Sequence, residues 1–532
     1  SFTVLPRNIA ESGLIRKQTG SMWANYTGGS VGSYIMNIGE LNILYEVDLD
    51  FLQCKAQYTK SSLENKYDQP RDRYELNFKN KLLNIKLGDS YPSIDQYALN
   101  GHHMRGVNFN FNYGPLLVDI INGHTARAVQ GDPSNGAITI TEIDTTILLS
   151  RNKYTFQQEV LGGKMGIKSG GRFHWDLNFI RVQDNIASVS RELDDAIVTI
   201  PTLFESTINE DKIDDFYFNN GVYSIRYDSL MNNYRNLFSE VDSLAFSTKN
   251  WIGTKPRDNL IYGSNIKFGF DKSRIQISSG FSVSYMNHNQ WNNLKRISEL
   301  STIAFDTNLD AYFLNYLQLD TTGNLSQYEQ YFTFGTNQQP LIPLLLQKKG
   351  AGIINSLNMS NLIRYITVQL RYLGHRVELG SRRNGPDYYS ILNPYLKTNF
   401  TEGYFSDRLH LFRNKLLLYY KRSKIIEGIY PEQTSPIEKR KSIFNISLFP
   451  GIGLPTINFG FTSLKRSNNE NKIIDQITYF RSAETELDTI TFVLREETVN
   501  NLFNISITNQ FRFRGNQMFC VNILLSDLTD KV

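Results

Sequence analysis

The chain has 532 residues with 56 basic and 52 acidic side chains, a formal net charge of +4, too balanced for a nucleic-acid partner. Aromatic residues make up 13%, chiefly 30 Tyr and 33 Phe, and the mean hydropathy is -0.35. No apolar run approaches the ~18 residues a spanning helix needs, which excludes a helical membrane protein, and the only cysteines, Cys54 and Cys520, provide no zinc or dithiol spacing.

The chain opens at Ser1 and is read as a mature form whose secretory leader has been removed. Residues 1–30 are polar and Gly-rich without a period, and are expected to form an N-terminal periplasmic segment. They contain a Gly-x-Ser-x-Gly match at Gly28 to Gly32, but not the strand-then-helix context of a nucleophile elbow, so it is read as a flexible loop.

From there a two-residue period recurs. Leu41, Ile43, Tyr45, Val47, Leu49 and Phe51 alternate with Asn42, Glu46, Asp48 and Asp50. Tyr74, Leu76 and Phe78 lead through Lys79 to Lys81 into Leu83, Ile85 and Leu87. Val107, Phe109, Phe111 and Tyr113 turn at Gly114 and Pro115 into Leu116, Val118 and Ile120. Phe173, Trp175, Leu177 and Phe179 oppose Arg172, His174, Asp176 and Asn178. The pattern then stops over about 185–256, where residues 185–244 hold eleven acidic and four basic side chains. It resumes with Ile266, Phe268 and Phe270 and with Ile275, Ile277, Phe281, Val283 and Tyr285. A second insertion covers about 291–350, with a candidate short helix at Leu294 to Phe305. Further strands carry Ile366 to Tyr372, Leu409 and Leu411, Leu416 to Tyr420, Phe444 to Leu448, Ile457 to Phe461, Phe503 to Phe513 and Phe519 to Leu525.

A strand with one apolar and one polar face is half-buried. Many in series, aromatic-rich, with short turns alternating with long loops, predict an all-β, antiparallel transmembrane β-barrel of roughly 16 strands over 31–532. Phe173, Trp175, Phe281, Tyr285, Ile505 and Phe511 are expected to face lipid; His174, Asp176, Ser282 and Ser506 are expected to face inward. The insertions are expected outside the bilayer or in the lumen, because uncompensated charge is costly in hydrocarbon.

Several strings resemble an outer-membrane, porin-like β-barrel family common in Bacteroidetes and related bacteria: Gly88 to Gly101, Arg105 and Gly106, Asn112 to Pro115, Asn384 to Ser390, Asn393 to Leu396, Asp407 to Lys415, and Phe449 to Phe459. The resemblance covers about 40–525 and implies location and fold, without an activity.

Candidate sites follow from residue types. Glu46, Asp48 and Asp50 read as charged lumen wall. Arg382 and Arg383 would set ion selectivity if they line the lumen, and Tyr388 and Tyr389 could stack on a sugar, although a structural turn is the plainer reading. Glu210, Asp211, Asp214 and Asp215, with Asp194 and Asp195 upstream, could hold Ca²⁺; their spacing does not match a helix-loop-helix calcium loop, so a solvated loop is the default. His102 and His103 point to opposite faces of an extended chain and, with His124, read as a polar loop edge rather than a metal site. No catalytic residue, metal or cofactor is expected. The expected function is a porin-like channel for small polar solutes, with outer-membrane lipid as partner. The alternative is a non-conducting scaffold for other envelope proteins.

The end of the chain, Asp527 to Val532, lacks a closing aromatic residue. The Val521 strand needs a partner on both edges, expected in strands beyond residue 532 rather than in the Tyr34 to Leu49 region. Closure onto that region would bring Cys54 and Cys520 within disulfide reach; otherwise two free, buried thiols are expected.

Overall fold

The computed structural model describes residues 2–4, 15–31, 34–132, 136–143, 146–190, 197–200, 217–219, 222–226, 251–291, 338–339, 359–428, 436–451, 454–468, 473–480, 487–493, 497–512 and 516–530. Its main element is a sheet of 21 strands, two of them, Phe2–Val4 and Gln338–Gln339, only two or three residues long. The others run Ile15–Val31, Tyr34–Leu49, Gln53–Ser61, Arg73–Lys79, Leu83–Ser90, Met104–Tyr113, Leu116–Ala126, Gln157–Ser169, Phe173–Asn185, Asp258–Phe270, Ile275–Asn287, Leu362–Tyr372, His375–Asn384, Phe400–Leu411, Leu416–Glu427, Ile437–Leu448, Thr456–Ser467, Glu497–Arg512 and Asn516–Asp530. Each pairs antiparallel with the next in this order.

The sheet curves strongly. Asp95 reaches Asn265, and the Tyr97 ring lies 6.0 Å from that of Tyr365, seven strands from Leu83–Ser90. On a flat sheet those strands would lie roughly 34 Å apart. The seven residues from Ser90 to Tyr97 span at most about 25 Å. The face that meets Asp95 and Tyr97 is therefore the concave, inner one.

The apolar residues are distributed inside out. Along Phe173–Asn185, Trp175, Leu177 and Phe179 are exposed on the outer face, while Asp176 and Asn178 are buried on the inner one. Tyr262, Phe268, Phe281, Ile366, Phe405, Tyr420, Ile457 and Phe503 continue the exposed apolar surface across neighbouring strands. Phe173 pairs with Phe268, Tyr285 with Leu260, and Ile505 with Phe459 on this same face. His174, Asp176, Ser282 and Ser506 occupy the opposite face. Phe511 lies in strand Glu497–Arg512, and its side chain is outside the described residues.

Turns at one end are short. Gly114 takes φ +56°, and Phe412, Arg413 and Asn414 all adopt left-handed backbone between Phe400–Leu411 and Leu416–Glu427. The connections at the other end include both predicted insertions. Five short strands there, Ile138–Ile143, Thr146–Arg151, Ile197–Ile200, Tyr217–Asn219 and Val222–Arg226, form a separate sheet. The first insertion thus pairs with the 127–156 connection, which hydropathy alone did not set apart. Phe156, Trp251 and Trp291 pack beneath it, with ring centroids 5.3–5.8 Å apart. The candidate helix at Leu294 to Phe305 lies outside the described residues.

Two expectations need correction. Residues 15–31 are not an aperiodic segment: they form a 17-residue strand registered against Tyr34–Leu49, which takes in Gly28 to Val31 of the Gly-x-Ser-x-Gly match. Backbone pairing does not require side-chain alternation, and Gly20, Gly28 and Gly29 erase that signal. Second, Cys54 and Cys520 are both free, and Cys520 is exposed rather than buried. Strand Asn516–Asp530 pairs with Glu497–Arg512, and no N-terminal strand pairs with it among the described residues.

Candidate functional site

Hydrophobic packing inside the concave face is concentrated at the long-loop end. Two connections, 91–103 and 385–399, fold inward there and form a plug. Ile94, Tyr97, Ala98 and Leu99 come from the first, with Met104 just beyond it; Tyr388, Ile391 and Leu392 come from the second, and all are buried. Their seat on the wall consists of two registered rows. Ile121, Gly162, Ile180 and Ile261 are successive cross-strand neighbours, as are Val160, Val182, Asn259 and Met286. Gly162 matters because a Cβ there would lie 3.1 Å from Ile180 Cγ1 and 3.3 Å from Ile121 Cδ1. Ile94, Tyr97, Ala98 and Leu99 fall within the Gly88 to Gly101 string and Tyr388 within the Asn384 to Ser390 string, while Ile391 and Leu392 lie between that string and Asn393 to Leu396.

Polar contacts fix the plug. Ser390 Oγ donates to the Ala98 carbonyl at 3.0 Å, joining its two halves. Ser282 Oγ and the Tyr388 hydroxyl are 2.8 Å apart. The Asn259 amide donates to the Tyr389 carbonyl at 3.3 Å and accepts from Ile391 N–H at 3.2 Å. Tyr388 and Tyr389 are thus anchors of the plug, and Tyr388 is buried. Below them Asn265 donates to Asp176 on the wall at 3.0 Å and to Asp95 on the plug at 3.4 Å. Burial raises the Asp95 pKa, helped by the nearby Asp176 charge, and burial likewise raises that of Asp387.

Beside the plug lies a cavity of about 610 Å³, walled by Gln96 and Tyr97 on one side and by the strands from Leu362 to Glu427 on the other. Four basic side chains, Arg376, Arg382, Arg408 and Lys421, share the strand wall with two carboxylates, Glu378 and Glu402. Arg382 donates to Glu402 at 2.9 Å, and the Tyr404 hydroxyl donates to Glu378 at 2.6 Å. Lys421 lies 5.0 Å from the Tyr404 ring centroid, and the Arg408 guanidinium 5.4 Å from that of Tyr419. Burial pushes the Tyr97 hydroxyl up to about 12, so this wall stays neutral.

The predicted site residues separate. Arg382 lines this cavity, but Arg383 lies on the outer face. Successive strand residues alternate in direction, and Arg383 pairs with Arg364, itself opposite the exposed Phe281. Glu46 and Asp48 share the polar face of a second cavity of about 280 Å³ with Lys17, Lys55 and Lys79, Lys55 Nζ lying 3.9 Å from Glu46. Asp50 falls past the end of its strand, in a bend, where it pairs with Arg16. Glu210, Asp211, Asp214 and Asp215, like Asp194 and Asp195, lie outside the described residues. His103 lies 2.7 Å from Asp89, a carboxylate that Arg105 grips with two hydrogen bonds of 3.0 Å; His102 is not part of this cluster.

The sequence reading missed the plug, yet a signal exists. Where the wall is apolar on both faces, alternation gives way to apolar doublets: Ile120–Ile121, Val160–Leu161, Phe179–Ile180, Leu260–Ile261 and Leu362–Ile363. The inner member of each doublet belongs to the buried cluster or the rim above it.

No protein-family model matches the chain, and no curated protein matches it. Among solved structures it is similar to Pseudomonas aeruginosa OpdQ at 7% identity and TM-score 0.33, covering 95% of this chain and 97% of that one. It is similar to the outer membrane protein OprD from Pseudomonas aeruginosa at 8% identity and TM-score 0.31, covering 97% and 96%, and to a BenF-like porin from Pseudomonas fluorescens Pf-5 at 8% identity and TM-score 0.30, covering 85% and 93%.

Proposed function

We propose that the protein is an outer-membrane barrel whose lumen conducts small polar solutes past an internal plug, with a preference for anions. The outer-membrane location is supported by the continuous exposed apolar face, which water would destabilise and hydrocarbon favours. The observation that carries the channel reading is the cavity between Tyr97 and the Arg382 wall, where basic and acidic side chains of adjacent strands line a polar space. Its basic side chains outnumber its carboxylates, and fixed charge at a constriction biases which ions enter.

Reversal potentials of purified protein in planar bilayers under a KCl gradient test this reading. Wild type should favour chloride, and Arg408→Glu should shift the reversal potential toward potassium. Correctly folded protein with no conductance would instead establish the scaffold alternative.

A further inference from the structure

We infer that the cavity beside the plug binds a sugar phosphate, taking the phosphate between Arg376 and Arg408 and the hydroxylated body against Glu378, Ser406 and Lys421. The site rests on the channel reading above and names the solute class for that lumen. Arg376 and Arg408 are direct cross-strand neighbours between His375–Asn384 and Phe400–Leu411, so their Cα atoms lie only about 5 Å apart. Both line the cavity, close to the short-turn ends of their strands. Tyr419 is next in the same row, and the Arg408 guanidinium is positioned 5.4 Å from its ring centroid.

Charge is uneven along this wall. Toward the plug, Glu402 is matched by Arg382 at 2.9 Å. Glu378 accepts from the Tyr404 hydroxyl at 2.6 Å and from the Gln369 amide at 3.1 Å. Arg376, Arg408 and Lys421 have no carboxylate within ion-pair distance among the described residues. Uncompensated positive charge therefore collects at the short-turn end, roughly 20 Å along the strand from Arg382. A phosphate monoester brings three acceptor oxygens and close to two negative charges, enough to engage both guanidinium forks, whereas one carboxylate matches one fork. The next inner row toward the plug, Glu378, Ser406 and Lys421, sets an acceptor, a hydroxyl and a donor on three adjacent strands. Sugar hydroxyls donate and accept, so they suit this row; inorganic phosphate would leave it empty. The cavity, about 610 Å³, has the size of a small-molecule site.

Isothermal titration of the detergent-solubilised protein with glucose 6-phosphate, glucose, gluconate or inorganic phosphate tests the site. Glucose 6-phosphate should bind at least about tenfold more tightly than each of the other three, and the Arg376→Gln/Arg408→Gln double variant should lose that preference. Ser406→Leu, which fills the hydroxyl row without removing charge, should weaken binding of the sugar phosphate and spare that of inorganic phosphate. Heat-modifiable gel mobility identifies the variants that fold. Binding of glucose, gluconate or inorganic phosphate by wild type as tight as that of glucose 6-phosphate, or an unchanged preference in the folded double variant, would overturn the proposal. Planar-bilayer conductance separates this outcome from failure of the channel reading. A protein that passes chloride but binds no sugar phosphate refutes the site alone, and one that binds sugar phosphate without conducting keeps the site and refutes the channel.

Discussion

Ser282 Oγ lies 2.8 Å from the Tyr388 hydroxyl, a contact that ties a wall strand to a loop 106 residues further along the chain. Both side chains are buried, so each satisfies a polar group that water cannot reach. Tyr388→Phe leaves the serine without this partner and should cost about 1–3 kcal/mol of plug docking. Single-channel recordings should then show larger or more frequently fluctuating openings; unchanged traces would count against the plug as the restriction.

The apolar half of the plug should be more sensitive. Leu99 is fully buried among Ile94, Met104 and the wall isoleucines. Leu99→Ala should destabilise the plug by about 2–5 kcal/mol while leaving the strand ladder intact. Thermal melts should show an earlier loss of near-ultraviolet aromatic signal with the far-ultraviolet β signal retained.

Acidity should close the path. The Asp95 carboxyl is raised above its ordinary value by burial, with Asp176 adding to the shift and the Asn265 amide opposing it; Asp387 is raised by burial, with Ser360 opposing. A group whose pKa is raised in the docked state binds more protons there. Its contribution to docking is full below the free value, about 4, and is lost as pH rises through the raised value. Conductance should therefore be lower near pH 4 than at neutral pH, and Asp95→Asn should flatten the dependence. An Asp95→Asn protein that keeps the full pH response would place the titration elsewhere.

How far these features were legible in the sequence depends on whether one strand suffices to reveal them. Trp175, Leu177 and Phe179 alternate with Asp176 and Asn178 within five residues, so facing is readable locally. The plug is not: Leu99 joins the buried cluster that includes Ile261, and Ser390 meets Ala98, only because the sheet curves, and no local period records that. Arg382 and Arg383 show a milder failure. Treating the pair as one lumen feature overlooked the two-residue period applied elsewhere, which sends the second arginine outward.

Gly88 should resist substitution. Its φ is +94°, and a Cβ would lie 2.2 Å from the Tyr74 carbonyl oxygen, where backbone cannot yield cheaply. Left-handed strain alone costs ~1–3 kcal/mol. The neighbouring Asp89 accepts from Tyr74 N–H at 2.7 Å and from Arg105, so the shift would also disturb that ion cluster. Gly88→Ala should reduce the yield of folded, heat-modifiable protein, whereas Gly403→Ala, with nothing within 4 Å of its added carbon, should fold normally.

Orientation of the C-terminal wall can be tested at adjacent positions. Ile507 pairs with Ile457 and Val521, and Ile457 belongs to the exposed apolar face. Ser506 pairs with Asn458 and Asn522 on the other face. An arginine facing hydrocarbon near the midplane should cost roughly 2–4 kcal/mol, while one in a polar lumen should cost little. Ile507→Arg should thus lower the temperature at which the folded band converts to the unfolded one on gels, and Ser506→Arg should leave it nearly unchanged. The reverse order would mean that this strand is turned by one residue, placing its apolar row inside, since a one-residue slip exchanges the two faces.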